Sequence, residues 1–172
     1  CFFLPKNLLE DCITFYPAYD NPPYSNLSPH LDIVSDRLKV LSQLNQKTLP
    51  RCLITSITAL LSWTLPPKIL SQSLQNLKTN EEIPRDLLVE QLIEWGYQKV
   101  PLVEDAGTFA VRGALMDIAP PCSEQPIRIE FFGDTLESIR TFDPKTQKSL
   151  TTLSDILLTP TRETLLSPKL VK

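Results

Sequence analysis

Apolar and polar positions in the first third of the chain predict a strand, a helix and a second strand, in that order. Residues 13–16 (ITFY) form a short apolar run that is typical of a buried strand. A helix follows, with Ser28 as its predicted N-cap and Pro29 at its first position. Its apolar positions recur at helical spacing at Val34, Leu38, Leu41 and Leu44. Residues 51–57 predict the second strand and residues 58–63 a short helix, an order typical of a βαβ piece of a parallel sheet.

The pattern changes near residue 70, where a polar stretch predicts a loop with a short strand. Residues 84–95 predict the clearest helix of the chain, with Pro84 at its start and Gly96 just past its end. Short polar connections then separate further candidate strands, as in an antiparallel meander. These strands are predicted at residues 97–103, 108–118, 126–132, 136–142 and 155–158. The second part therefore predicts an α+β fold in which one helix packs against an antiparallel sheet.

The composition excludes several classes of function. The chain has 172 residues, 42% of them apolar, which is enough for one ordinary domain or two small ones with a real core. Only 4 glycines are present, and neither G-x-x-x-x-G-K-[ST] nor G-x-G-x-x-G occurs, so no phosphate-binding loop is expected. Lys and Arg number 17 against 20 Asp and Glu, which gives a net charge of −3 and argues against nucleic acid as the default partner.

The cysteines give no sign of a metal site. They stand at Cys1, Cys12, Cys52 and Cys122, and no two form a C-x-x-C pair. Their scatter favours reduced thiols in a cytoplasmic protein, and no apolar run approaches the roughly 20 residues of a membrane span. Because the sequence starts at Cys1 rather than at Met, we expect it to be a fragment of a longer protein.

Two groups of residues are candidates for a catalytic site. The lone histidine, His30, has no partner at metal-ligand spacing and is expected to be a surface residue at a helix start. Acids on adjacent strands can bind Mg²⁺ for phosphodiester cleavage, and four fall in the antiparallel region: Asp117, Glu130, Asp134 and Glu137. Gly133-Asp134, however, is ordinary turn chemistry between strands, and solvated strand faces explain the glutamates. The sequence therefore predicts no catalytic residue, metal or cofactor.

The strand at 126–132 places an arginine and a phenylalanine on its outer face. Alternation turns Ile127, Ile129 and Phe131 towards the core, and Arg128, Glu130 and Phe132 away from it. An exposed phenylalanine beside an arginine is typical of an interaction hot spot, although an aromatic that covers the core edge beside a solvated arginine gives the same pattern.

Arg112 lies in a strand that is otherwise apolar, and Gly113 follows it directly. Simple alternation would point this arginine towards the apolar positions of its own strand. Because glycine inside a strand often marks a bulge, we expect the strand 108–118 to kink at Gly113 and to turn Arg112 out beside Arg128 and Phe132.

Four segments of the sequence together resemble a known family. They are FAVRGALMDIAPP (109–121), PIRIEFFGDTLESIRTFDPKTQKSL (126–150), LSPHLDIVSDRLKVLSQL (27–44) and ITSITALLSWTLPP (54–67). The combination resembles the UvrB-like N-terminal module of the bacterial transcription-repair coupling factors (Mfd), over about residues 13–163. UvrB shares the second half, but it carries a long tyrosine-rich hairpin, and there is no room for that hairpin between YPAYDNPPY (16–24) and the helix that follows.

The resemblance implies a fold and a division into subdomains. The expected fold class is α/β plus α+β: a partial Rossmann-like piece, similar to UvrB domain 1a, followed by an antiparallel sheet with a packed helix, similar to UvrB domain 2. The expected bounds are 1–69 for the first part, 70–158 for the second and 159–172 for a segment that returns towards domain 1b. The first strand and helix of the module are expected to lie outside the chain, which would leave the first sheet incomplete. Ala119 stands where the family usually has Phe.

The resemblance also implies a function. The second part of such modules docks UvrA, the damage-recognition ATPase of nucleotide excision repair, and the family's contact residues fall on Arg112, Arg128 and Phe132. Gly113 and Glu130 are expected to support them. The chain is therefore expected to be a non-catalytic module that recruits UvrA to stalled RNA polymerase; the longer family proteins also bind RNA polymerase and double-stranded DNA. The alternatives are a UvrB-like module that contacts DNA and a Mg²⁺-dependent nuclease.

Overall fold

A parallel pair of strands begins the fold in the computed structural model, which describes residues 13–21, 28–45 and 51–163. Strand β1 pairs with β2 in register from Ile13 opposite Cys52 to Tyr16 opposite Thr55, and helix α1 lies between them in the chain. The elements of this part are β1 (Ile13–Tyr16), α1 (Leu31–Asn45), β2 (Cys52–Thr55), α2 (Ile57–Leu61) and α3 (Pro67–Gln72). The predicted order of strand, helix and strand is confirmed, whereas α3 was not predicted. Residues 1–12, 22–27, 46–50 and 164–172 lie outside the described residues. They include part of the predicted loop 17–29 and parts of the predicted subdomains 1–69 and 159–172.

Helix α1 begins later than the sequence pattern predicted. The backbone carbonyl of His30 accepts the first hydrogen bonds of the helix, at 3.1 and 3.2 Å. The His30 ring Nδ1 also accepts a bond from the backbone N–H of Asp32, at 3.4 Å. His30 therefore occupies the N-cap position, and the prediction of Ser28 as N-cap with Pro29 at the first helical position is wrong. The imidazole nitrogen takes the part that a serine hydroxyl usually plays.

Arg37 of α1 is fully buried in the first part of the chain. Its guanidinium carbon lies 4.3 Å from the ring centre of Tyr16 and 4.1 Å from that of Tyr19, and its Nη1 donates to the backbone oxygen of Pro17 at 2.9 Å. Cation–π contacts of this kind are strongest where water is excluded. Arg37 therefore fastens the segment after β1 to helix α1.

We expect the Arg37→Ala substitution to destabilise this part of the chain by about 3 kcal/mol, because it removes a large buried side chain and its ring contacts together. The measurement is hydrogen exchange of the α1 amides. Asp36→Ala, at the exposed neighbouring position, is the matched control. Equal protection in the two variants would contradict the assigned role.

The second part of the chain contains most of the strands. Its elements are β3 (Gln75–Lys78), α4 (Arg85–Glu94), β4 (Gln98–Lys99), β5 (Thr108–Arg112), β6 (Leu115–Ile118), β7 (Ile127–Phe132), β8 (Thr135–Phe142), β9 (Ser149–Leu153) and β10 (Asp155–Leu158). Strands β4 to β9 form one six-stranded sheet in chain order, and β3 pairs with β10 in a separate antiparallel pair. The predicted combination of α/β and α+β parts is confirmed to this extent: the structure mixes helices with antiparallel and mixed sheets. The chain divides into two compact units, Cys1–Ser71 and Gln72–Lys172.

Two predictions about strands are wrong in detail, and one strand was missed. The stretch 97–103 contributes only β4, which runs parallel to β5 and so departs from a pure antiparallel meander. The stretch 108–118 is not one strand but the β5–β6 hairpin. Strand β9, from Ser149 to Leu153, was not predicted; its exposed, mostly polar sequence lacks the apolar alternation of a half-buried strand.

The main core of the second unit lies between α4 and one face of the large sheet. Leu88, Leu92 and Trp95, the predicted apolar stripe of the helix, are all buried. They pack in one cluster with sheet residues that include Phe109, Met116, Ile118, Ile127, Ile129, Phe131, Leu136 and Ile139. Because α4 covers this face of the sheet, the opposite face is the one left for other contacts.

The end of α4 is closed by a left-handed glycine and by the last described residues. Gly96 has φ of 91°, as expected for the residue after a helix C-terminus. The Trp95 carbonyl accepts two bonds from Thr161, one from its backbone N–H and one from Oγ1, both at 3.0 Å. The segment up to residue 163 is thereby held against the helix end. A Cβ at Gly96 would lie 2.2 Å from Nε of Arg162.

Among the described residues, no helix is both long and apolar enough to cross a lipid bilayer. Cys52 and Cys122, the cysteines within the described ranges, form no disulfide.

Candidate functional site

Strand β7 presents its alternate residues to opposite faces of the sheet, as predicted. Ile127, Ile129 and Phe131 are buried against α4, whereas Arg128 and Glu130 are half-buried and Phe132 is 79% exposed on the other face. We call Arg112, Arg128 and Phe132 the outer-face site. Their positions follow from strand pairing, because residues that pair across neighbouring strands share a face.

Gly113 reverses the chain instead of kinking it. Strand β5 ends where Arg112 pairs with Leu115, which leaves Gly113 and Ala114 as a two-residue hairpin turn. Gly113 has φ of 60°, a conformation that this kind of turn requires at its first central residue and that glycine adopts without a steric penalty. The expectation of a bulge at Gly113 is therefore wrong. Because a Cβ there would meet nothing within 4 Å, the backbone conformation, not lack of space, favours glycine.

One irregularity of the sheet lies between β7 and β8, and a second register shift lies between β8 and β9 at Arg140 and Phe142. Glu130 pairs with Ser138, but the next residue, Phe131, pairs with Leu136, so Glu137 is the extra residue of a bulge. Phe132 then pairs with Thr135 beside the turn that contains Gly133. The bulge places the buried Leu136 opposite Phe131 on the core face and Thr135 opposite the exposed Phe132 on the outer face.

Asp117 joins the two arginines of the outer-face site. Its side chain is only 1% exposed, and it faces Arg128 across the β6–β7 pair. Oδ1 accepts a bond from Arg128 Nε at 2.7 Å and Oδ2 one from Arg128 Nη2 at 3.0 Å, a bidentate pair. Arg112 reaches the same Oδ2 through its Nη2. The hydrogen bonds to Asp117 raise the pKa of Arg128 above its ordinary value. One buried carboxylate therefore orients both guanidinium groups.

The motif F-D-P-K-T-Q (142–147) completes the surroundings of Arg128. The guanidinium lies over the ring of Phe142, 4.6 Å from its centre, and donates to the backbone oxygen of Gln147 at 3.1 Å and to its Oε1 at 3.2 Å. Asp143 Oδ1 accepts the backbone N–H of Lys145 at 2.8 Å, which holds the turn and lowers the pKa of Asp143 below its ordinary value. This turn was not connected with Arg128 by the sequence pattern.

Ala119 lies beneath this region in a small second cluster. It is 6% exposed and packs with Val103, Ala110 and Phe142 on the outer side of the sheet. Since the Phe142 ring supports the Arg128 guanidinium, the small side chain at position 119 belongs to the packing that positions this arginine.

The other acids of this region either accept hydrogen bonds from neighbouring side chains or lie apart from one another. Glu130 Oε2 accepts bonds from Ser138 Oγ and Arg140 Nη2, both at 3.2 Å. Asp134 follows Gly133, whose φ of 62° is typical of a turn. No group of three or more His, Cys, Asp or Glu side chains in the described parts of the chain could hold a metal ion. Of the four acids considered for Mg²⁺, Asp117 and Glu130 form ion pairs with arginines.

The structure brings Arg112 and Arg128 together through Asp117 and places Phe132 further along the same face. Gly113 forms the turn after Arg112, and Glu130 lies on the outer face between Arg128 and Phe132. Sequence reasoning missed the role of Asp117, although its position between the core-facing Met116 and Ile118 carried the signal.

The match to known proteins covers this sheet. The chain belongs to the UvrB interaction domain family, whose model matches residues 75–163. Over nearly its whole length it is similar to transcription-repair-coupling factors: it is 40% identical over 168 residues to that of Myxococcus xanthus, 38% over 146 residues to that of Escherichia coli K12 and 33% over 167 residues to that of Bacillus subtilis 168. These matches include 96%, 84% and 95% of this chain, but only 14%, 12% and 14% of the relatives.

Proposed function

We propose that this chain is the UvrA-docking module of a transcription-repair coupling factor, with the outer-face site as its contact surface. The observation that carries the proposal is the buried Asp117, which aligns Arg112 and Arg128 on the sheet face that also exposes Phe132. The family match and the similarity to proteins named transcription-repair-coupling factors support the same conclusion.

The chemistry of the site defines what a partner must offer. The Arg128 guanidinium donates its hydrogen bonds to Asp117 and Gln147, and its side chain is 15% exposed. The side chain of Arg112 is 43% exposed. Among the described residues Arg112 makes one ion pair, through Nη2, so Nε and Nη1 remain for a ligand. A guanidinium fork matches a carboxylate, and an exposed phenyl ring matches an apolar pocket. We therefore propose that UvrA presents an acidic side chain next to such a pocket.

The wider role follows from the resemblance. In this proposal the module is non-catalytic and acts in the cytoplasm, where it brings UvrA to RNA polymerase stalled at DNA damage. Contacts with RNA polymerase and double-stranded DNA would belong to other parts of a longer protein. The subdomain bounds 1–69, 70–158 and 159–172 remain part of the proposal, with UvrA docking assigned to the second.

Phe132→Ala provides the cleanest test of this function, because a side chain that is 79% exposed contributes little to folding. We expect UvrA affinity, measured by calorimetric titration, to fall about 30-fold, roughly 2 kcal/mol, if Phe132 fills a pocket on the partner. The thermal unfolding midpoint, followed by fluorescence of the buried Trp95, should not change.

Leu150→Ala is the matched control, since Leu150 is an apolar residue of β9 that is 55% exposed and lies outside the outer-face site. It should bind UvrA like the original chain. Full affinity in the Phe132 variant would contradict the proposed contact surface.

A further inference from the structure

The start of helix α4 connects the two hairpin turns that flank the outer-face site. Arg85, the first residue of α4, donates from Nη1 to the backbone oxygen of Gly113 at 2.7 Å. Two residues earlier, the backbone N–H of Ile83 donates to the backbone oxygen of Asp134 at 2.7 Å. One short segment therefore holds both the turn after Arg112 and the turn after Phe132.

The space beneath these turns is open. A cleft of about 360 Å³ separates the helix start from the turns and is lined by Arg85, Asp86, Ala114, Phe131, Gly133 and Asp134. The β5–β6 turn is also joined to β7 by the bond from Phe131 N–H to the Ala114 carbonyl, at 2.9 Å. Across the cleft, the guanidinium of Arg85 spans from the helix to the Gly113 carbonyl.

Arg112 depends on this turn more than Arg128 does. Arg128 is held in mid-strand by Asp117, Gln147 and the Phe142 ring, whereas Arg112 is the last residue of β5 and reaches Asp117 through Nη2. The backbone oxygen that accepts the hydrogen bond from Arg85 belongs to Gly113, the residue directly after Arg112. Any movement of the Gly113 turn therefore moves the base of the Arg112 side chain.

We propose that Arg85 is a positioning residue for partner binding: it fixes the Gly113 turn and thereby the direction of Arg112, without touching the partner. This inference rests on the proposed function of the outer-face site. It assigns Arg85 a role that strand alternation cannot show, because the residue comes from the helix on the opposite side of the sheet.

The experiment is a double-mutant cycle on the whole chain, with UvrA affinity measured for Arg85→Ala, Arg112→Ala and the double variant. We expect Arg85→Ala to weaken binding about tenfold and to have no further effect once Arg112 is alanine, because the two act through one contact. Arg85→Lys should recover much of the affinity, since an ammonium can still donate to the Gly113 carbonyl. Lys99→Ala, which removes an exposed cation from the same unit, is the control and should change nothing.

A second readout needs no partner. In the chain alone, Arg85→Ala should shift the amide NMR resonances of Gly113 and Arg112, while the unfolding midpoint reported by Trp95 stays close to that of the original chain. Unshifted resonances would overturn the inference.

The outcomes separate this inference from the proposed function. If Arg112→Ala binds normally, the assignment of Arg112 to the docking surface fails. If Arg112→Ala weakens binding and Arg85→Ala does not, the positioning role is wrong. If Arg85→Ala weakens binding equally in both backgrounds, Arg85 contacts the partner directly, and the role proposed here is also overturned.

Discussion

Replacing Arg128 with alanine is expected to weaken UvrA binding about 100-fold, close to 3 kcal/mol, the largest effect of any single substitution in the site. The substitution removes a guanidinium from the centre of the proposed surface. It also leaves Arg112 as the remaining arginine partner of the buried Asp117 carboxylate. Because Asp117 then attracts Arg112 more strongly, Arg112 is drawn away from a ligand. The measurement is a calorimetric titration of UvrA into each variant.

Arg140→Ala is the control for this experiment. Arg140 pairs directly with Arg128 across β7 and β8, lies on the same face and is 43% exposed, but its partner is Glu130. Its loss should change UvrA affinity by less than about threefold, as is usual for an exposed ion pair. Equal losses in the two variants would show that the general charge of the face, and not the outer-face site, governs binding.

A folding defect can be separated from a lost contact by removing both charges. Arg128→Ala alone leaves a buried carboxylate short of a partner and should lower the free energy of unfolding. Combining it with Asp117→Ala removes that carboxylate and should restore part of the stability. If Arg128 contacts the partner, the double variant stays weak in binding although it is more stable. Recovery of affinity together with stability would contradict a direct contact.

The elements with strong periodicity could be predicted from the sequence. The stripe of Leu88, Leu92 and Trp95 defined α4, and alternation along β7 separated Phe131 from Phe132 correctly. In both cases burial on one face imposes the pattern, so the sequence carries it. The β5–β6 hairpin was missed because apolar residues continue on both sides of Gly113, and the same glycine fits a bulge and a turn equally well.

The interior of the site could be predicted less well, because its contacts join residues that are far apart in the sequence. Asp117 pairs with Arg128 eleven positions away, and Gln147 reaches the same arginine from the next hairpin. Neither partner is visible in a local pattern. The family resemblance pointed to Arg112, Arg128 and Phe132 but gave no reason for their arrangement, which the buried carboxylate now supplies.

Asp117→Ala should cause the largest loss of stability among the substitutions at this site. Its carboxylate is 1% exposed and holds Arg128, itself only 15% exposed, in a bidentate pair. Removing one partner of a buried pair leaves the other charge uncompensated, so we expect the free energy of unfolding to fall by about 3 kcal/mol. Denaturant unfolding followed by the fluorescence of Trp95, which lies in the same unit, measures this loss directly.

Asp117→Asn tests whether this carboxylate also governs recognition. The amide keeps the shape of the side chain and one acceptor oxygen but loses the charge that aligns both guanidinium groups. Because Asp117 is too buried to reach a partner, any loss of UvrA affinity in the folded variant must act through Arg112 and Arg128. We expect a loss of about tenfold, whereas Asp105→Asn, at an exposed position, should have none. Unchanged affinity in Asp117→Asn would mean that the strand positions alone present the arginines, and that Asp117 serves only the stability of the sheet.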